Sequence, residues 1–252
     1  MAKSTVYFTS ELTPEAVVKM YRQLGIELPG KVAVKVHSGE KGNQNFLRPE
    51  FWCPMVEEVH CTIVECNTAY GDAAGGVRDH TESHRKLLQE HGWTKYFDVD
   101  LMDAEGPDVV WPIPNGKVLK ENHVGKHILH YDSMLVLAHF KGHPMGGYGG
   151  ALKQLAIGCA SRAGKALIHS AGKTDDRFKT WEQRASSVNV RHHQRILHHF
   201  RIVNPLQNAM LQNAQVSGSH RDITFRVFQL AGGWLSLPAH VAIDLSSRRR
   251  GF

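Results

Sequence analysis

The sequence predicts an α/β fold, a two-layer or three-layer mixed sheet with flanking helices, and three observations lead there. Short β-rich runs alternate with helical stretches through the first part of the chain. Polar, glycine-containing loops follow those runs, as they do where strands end at one edge of an open sheet. The composition is ordinary for a globular protein, 42% hydrophobic and 21% charged, and 252 residues suffice for one large domain or two small ones.

Residues 6–8 read as a first strand. The segment TPEAVVKMYRQLGI then reads as a helix: Thr13 is the N-cap, Pro14 the first helical residue and Glu15 an acid in the positive first turn. Val17, Val18, Tyr21 and Leu24 supply its apolar face, and Gly25 ends it. Residues 31–36 (KVAVKV) make a second strand, residues 49–59 a helix, and residues 62–65 (TIVE) a third strand, in β-α-β-α-β order. DHTESHRKLLQEHGW suits a helix over 79–91, stopped by Gly92, with Leu87, Leu88 and His91 toward the core. Residues 97–101 and 109–113 are further strand candidates, and residues 133–138 (SMLVLA) are the most apolar one. A glycine-rich loop follows, and a helix begins near Ala151.

Cys53, Cys61, Cys66 and Cys159 are the only cysteines, too few for a disulfide scaffold in a chain of this size. Their spacing matches neither zinc CxxC pairs nor ferredoxin runs, so they read as buried, reduced thiols. No run approaches the roughly 18 apolar residues of a membrane span, and MAKSTVYFTSEL lacks the apolar core of a secretory signal. The expectation is therefore a cytoplasmic protein without a membrane partner.

Three polar loops carry the residues able to do chemistry. After the second strand, HSGEKGNQNFLRP offers His37, Glu40, Asn43 and Arg48. After the third, NTAYGDAAGGVRDHTESH offers Asn67, Thr68, Tyr70, Arg78 and His84. After the strand at 133–138 come Gly146, Gly147, Gly149 and Gly150, with Lys141, His143, Lys153, Lys165 and His169 around them. A strand, flexible loop and helix start can aim backbone N–H groups at an anion, although the run is neither GxGxxG nor a P-loop. The lysines suit phosphate or carboxylate, and the histidines suit proton transfer or ligation. In an open α/β sheet these turns, near positions 40, 70 and 145, converge on one rim. His123, His127 and His130 recur at intervals of four and three, as ligands on a helix would. Gly125 interrupts them and residues 128–129 read as extended, so no metal site is assigned there.

On the runs KVHSGEKGN, ECNTAYGDAAGGVRDHTESH and YDSMLVLAHFKGHPMGGYGGALKQLAIGCASRAGKALIHS, with the helix DHTESHRKLLQEHGW, the chain resembles the DUF362 family from about residue 3 to 183. That is an uncharacterised group, sometimes found with iron–sulfur modules. The resemblance implies a cytoplasmic, prokaryotic α/β protein. It places His37, Glu40, Asn43, Asn67, Arg78, Lys141, His143, Lys153, Gly164, Lys165 and His169 on the family's signature segments, and it implies no known reaction. Members continue into a DCDC-like segment and an ASxDPVALDxAC-like segment, where iron–sulfur association is implied. Neither segment occurs in this sequence, so a 4Fe-4S cluster of full-length relatives is not expected to be completed by this chain.

Residues 184–252 differ from the rest. They contain no Lys, Glu, Tyr or Cys, and nine arginines against Asp222 and Asp244 give them +7. The chain's net charge is +6, which leaves −1 for residues 1–183. Such bias is expected of a shifted reading frame, which would leave the tail poorly ordered and the sheet incomplete at its C-terminus. The other reading is an authentic basic extension, in which residues 222–230 alternate as a short strand and the arginines meet a polyanion. Taken together, the expected function is an enzyme-like protein binding a small anionic or redox cofactor at the Gly/Lys/His loops. His143, Lys153 and His169 are the catalytic candidates. His37, Glu40, Asn43, Asn67, Arg78, Lys141, Gly146, Gly147, Gly149, Gly150 and Lys165 are the binding candidates. The alternatives are a noncatalytic, ferredoxin-like electron-transfer module and a nucleic-acid binder acting through the basic tail. The second is disfavoured because the body shows no basic face interleaved with aromatics.

Overall fold

A computed structural model of the chain describes residues 6–71, 76–113, 116, 118–143, 147–176, 178–179, 224–231 and 239–243, with the backbone alone at 6, 140–143, 147–149, 151–152 and in the last two stretches. The first strand, β1 (Val6–Thr9), leads into helix α1 (Pro14–Gln23), where Thr13 Oγ1 accepts from the Ala16 amide at 3.1 Å as the cap residue should. Strand β2 (Val32–Lys35) follows. The single helix expected over 49–59 is instead a 3-10 turn (Pro49–Trp52) and then α2 (Cys53–Val59). Pro54 explains the break, because without an N–H it cannot donate to the carbonyl four residues back. Strand β3 (Thr62–Glu65), α3 (Thr81–Glu90) and a two-residue β4 (Asp100–Leu101) come next, with Gly92 at φ +80 just past the helix as anticipated.

Strands β5 (Val109–Pro112) and β6 (Glu121–Val124) form a separate antiparallel pair. A 3-10 turn (Lys126–His130) then replaces the extended run expected there. Strand β7 runs for 11 residues, Ser133–His143, past the expected end at 138, and pairs antiparallel with β8 (Gly147–Gly149). Helices α4 (Ala151–Ala156) and α5 (Arg162–His169) follow, and β9 (Thr224–Ala231) and β10 (Ala239–Ile243) complete the described elements. The strand expected at 222–230 thus coincides with β9. Residues 184–223, 232–238 and 244–252, on which most of the expectation about the tail falls, lie outside the described residues.

The main sheet has the order β1-β10-β9-β7-β2-β3-β4. Strands β9, β7, β2, β3 and β4 are mutually parallel, while β10 runs antiparallel to both β1 and β9. The fold is therefore a mixed α/β sheet, in three layers. Alternate residues of the central strands feed two separate cores. Val34, Ile63, Leu135 and Leu137 pack with Val17, Met20, Trp52, Met55, Leu88 and Trp93 of the α1–α3 layer. Ala33, Val64, Met134, Val136 and Ala138 pack with Trp111, Val124, Leu155, Ala160 and Ile168 of the β5–β6, α4 and α5 layer. No helix among the described residues is long and apolar enough to cross a membrane.

Helix α5 is held close to β6. Ser161 caps it, accepting from the Gly164 amide at 3.1 Å, and the Ser161 amide donates to the His123 carbonyl at 3.0 Å. A methyl group on Gly164 would collide with that same His123 carbonyl oxygen, which is main chain and cannot swing aside. Gly164→Ala is expected to lower stability by about 1–3 kcal/mol. The check is the urea midpoint, which should fall with an unchanged m-value.

Candidate functional site

The carboxyl ends of β2 and β3, with His139 of β7 beside them, open toward a cavity of about 240 Å³. By strand alternation Lys35 shares a face with Ala33, and Glu65 shares the opposite face with Ile63. The two side chains nevertheless meet at the end of the sheet. Lys35 Nζ donates to Glu65 Oε2 at 2.6 Å and to the Val36 carbonyl at 2.7 Å, and Lys35 is only 1% exposed. Glu65 also accepts from the amides of Cys66 (3.0 Å) and Ser38 (3.1 Å) and from Ser38 Oγ (3.3 Å). Burial alone would raise its carboxyl. The positive charges of Lys35 and Arg78 outweigh that and hold it well below the usual carboxylate range.

Arg78 ties the loops after β2 and β3 together. Its Nε donates to Glu40 Oε2 at 3.0 Å and its Nη1 stands 3.5 Å from Glu65 Oε1. Behind this layer His84 is fully buried. Its Nδ1–H donates to Asn67 Oδ1 at 3.1 Å, and its Nε2 lies 3.5 Å from Ser38 Oγ. Burial pushes the His84 ring down to about 3, with Arg78, Lys35 and Lys165 acting in the same direction against the pull of Glu65. His84 is therefore a neutral spacer in a charged neighbourhood.

Helices α4 and α5 close the other side of the cavity with Lys153, Gln154, Ile157, Lys165 and His169. Lys165 is 5% exposed, and its ammonium donates to the Ala160 carbonyl at the cap of its own helix. No carboxylate among the described residues lies within ion-pair distance of it. Asp103 feels its charge from further off, yet burial dominates there and raises the Asp103 carboxyl. His169 Nδ1–H donates to the Lys165 carbonyl at 2.6 Å, which makes Nε2 the lone-pair nitrogen of the neutral ring. Tyr70 meets that ring edge-on, with 5.2 Å between centroids. Among the lining residues Lys35, Arg78, Lys153 and Lys165 face Glu40 and Glu65, a formal surplus of two positive charges.

Of the residues singled out from sequence, His37, Glu40, Arg78, Gly150, Lys153, Lys165 and His169 line this one cavity, together with Thr68 and Tyr70. Asn67 stands one layer behind, its amide on Asp103 and its side chain between His84 and Thr81. Asn43 does not line the cavity. It closes a turn, its amide donating to the Glu40 carbonyl and its Oδ1 accepting from Asn45. The flexible glycine loop is corrected to a hairpin: Gly149 pairs with Lys141 and Gly147 with His143, so these backbone groups serve the β7–β8 ladder. Gly146 lies outside the described residues, as do the side chains of Lys141 and His143.

Lys35 and Glu65 escaped the sequence reading. Their signal was a charge of each sign closing two otherwise apolar runs, KVAVKV and TIVE. Cys66 and His139, also in the wall, had none.

The thiols are poor nucleophiles here. Burial pushes Cys61 up to about 12 and Cys159 to about 11, and it raises Cys66 well above its ordinary value. Among the described residues, the one grouping of three His, Cys, Asp or Glu ligand atoms close enough to share a metal is Asp100, His127 and His130. It contains no cysteine and none of the cavity's residues, so the described geometry gathers no iron–sulfur ligand set.

A family profile described as "Domain of unknown function (DUF362)" matches residues 32–224, from the first residue of β2 to the first of β9. No curated protein matches the chain. A crystal structure of a protein from Thermotoga maritima, determined by the Northeast Structural Genomics Consortium, is 14% identical with a TM-score of 0.48. The match covers 94% of this chain and 55% of that one, so the chain spans about half the length of that protein.

Proposed function

We propose, for a chain that belongs to the DUF362 family of domains of unknown function, that the cavity at the carboxyl ends of β2 and β3 binds a small anionic molecule. Lys165 carries this reading. A buried ammonium whose described acceptor is a single main-chain carbonyl is costly until an anion shares its surroundings. The two remaining N–H donors of Lys165 and the ammonium of Lys153 supply charge-assisted hydrogen bonds to phosphate or carboxylate oxygens. At about 240 Å³ the cavity is smaller than the roughly 300–1,000 Å³ of sites for drug-sized ligands, so the ligand has few heavy atoms. Should the bound molecule react, His169 is the residue placed to accept or return a proton, because its Nδ1 is committed to the Lys165 carbonyl and its Nε2 holds the lone pair.

Titration calorimetry of the full chain with inorganic phosphate and with succinate tests the reading. At least one is expected to bind, more weakly as salt rises. Lys165→Met abolishes binding, and Lys153→Ala weakens it about tenfold, the loss of one half-buried charge-assisted bond of roughly 1.4 kcal/mol. If neither anion binds, or if Lys165→Met binds like the unaltered chain, the reading is wrong.

A further inference from the structure

We infer that Asp100, His127 and His130 form a binding site for a zinc-class divalent ion at the β4 edge of the sheet. One oxygen of Asp100 and one ring nitrogen from each histidine lie within 4.8 Å of one another. Zinc bonds of about 2.0–2.1 Å put neighbouring tetrahedral ligands roughly 3.3 Å apart. Small side-chain rotations therefore suffice to close the set. Two imidazoles and one carboxylate are a donor set that suits zinc and its neighbours in the first transition row better than magnesium or calcium.

Several elements build this cluster. Gly125 lies so tightly against Met102 that any side chain there would strike the Met102 carbonyl, and the His127 amide donates to that carbonyl at 3.0 Å. The 3-10 turn Lys126–His130 is thereby pressed onto β4. In a 3-10 turn residues i and i+3 eclipse each other. This is why the His127 and His130 rings stack with 4.8 Å between centroids, both on the side of Asp100.

The surrounding partners match those of a metal site. Tyr131 Oη donates to Asp100 Oδ2 at 2.7 Å, fixing the carboxylate so that Oδ1 faces His127 Nδ1 at 2.7 Å. On the far side of the same ring, His127 Nε2 lies 3.9 Å from Glu105 Oε2. A ligating carboxylate held by a hydroxyl is the kind of outer contact that orients first ligands, while the Glu105 carboxylate, beyond hydrogen-bond reach, adds negative charge beside the site. His130 is exposed, which leaves the remaining coordination position open to solvent.

The site is independent of the anion cavity, since none of its residues lines that wall. The test is equilibrium dialysis of the chelator-stripped full chain against zinc, with cobalt as a visible probe. One equivalent is expected to bind at micromolar zinc, with a cobalt absorption band. His130→Ala, at an exposed position, and Asp100→Asn each weaken zinc at least tenfold and remove the band. Replacing His192, His193, His198 and His199 by alanine together leaves both unchanged. Absence of binding, unaltered binding in His130→Ala, or loss of binding in the fourfold variant would each overturn the assignment.

Discussion

Lys35→Met is expected to destabilise the fold by about 3–5 kcal/mol, the cost of leaving one member of a buried ion pair without its partner. Lys35 and Glu65 lie within the protein with side-chain exposures of 1% and 4%. Removing the ammonium strands a carboxylate already taken out of water. The lower end of the range is expected, because the Ser38 and Cys66 amides and the Arg78 guanidinium remain beside Glu65. Pairing Lys35→Met with Glu65→Gln should recover part of the loss, since the second change removes the uncompensated charge. The check is a double-mutant cycle on urea unfolding, with a coupling energy of at least about 1 kcal/mol for residues in contact. A cycle that closes to zero means the 2.6 Å contact contributes nothing to stability.

The second large effect is in acid. His84 titrates near 3 in the folded chain, against 6.5 for an unconstrained ring, because burial disfavours its charged form. Below pH 6.5 the unfolded chain therefore takes up this proton before the folded one does. The contribution of His84 is complete above pH 6.5 and falls as the pH drops toward 3, at a limiting slope of about 1.4 kcal/mol per pH unit for one proton. Glu65 acts lower down. Its depressed carboxyl contributes fully above about 4.3, its ordinary value, and that contribution disappears only as the folded form finally protonates. Between pH 7 and 4.5 Glu65 stays ionised, and the raised Asp103 carboxyl acts with the opposite sign, so the histidine is read as the difference between the unaltered chain and a variant without it. His84→Gln should flatten the slope by nearly one proton, even though it lowers stability at pH 7, and an unchanged slope would place the ring's protonation elsewhere.

Local signals in the chain were good guides wherever one residue acts on its own backbone. Thr13, Pro14 and Glu15 mark the start of α1, Gly92 marks the end of α3, and the apolar runs at 31–36 and 62–65 are β2 and β3. They failed where a distant partner decides. The run after 138 reads as flexible because of its glycines, yet β8 comes back to pair with it. Residues 128–129 read as extended, yet contact with Met102 coils the segment 126–130 into a 3-10 turn. In α3 the alternation pointed Leu87 and Leu88 inward correctly. It also placed His91 toward the core, where that ring is half-buried and reaches the Ser38 carbonyl at 3.0 Å, while His84 is the histidine fully enclosed.

What the sequence determined alone is the mixed α/β class with its strands and flanking helices, and the polar loops that follow its strands, because periodicity, caps and turn residues act within a few positions of themselves. Only the tertiary structure decided that Lys35 and Glu65 reach each other from opposite faces of adjacent strands, and that α5 brings Lys165 and His169 to the same cavity. Burial and charge act through space. Their strength depends on which segments become neighbours, and no local pattern carries that information.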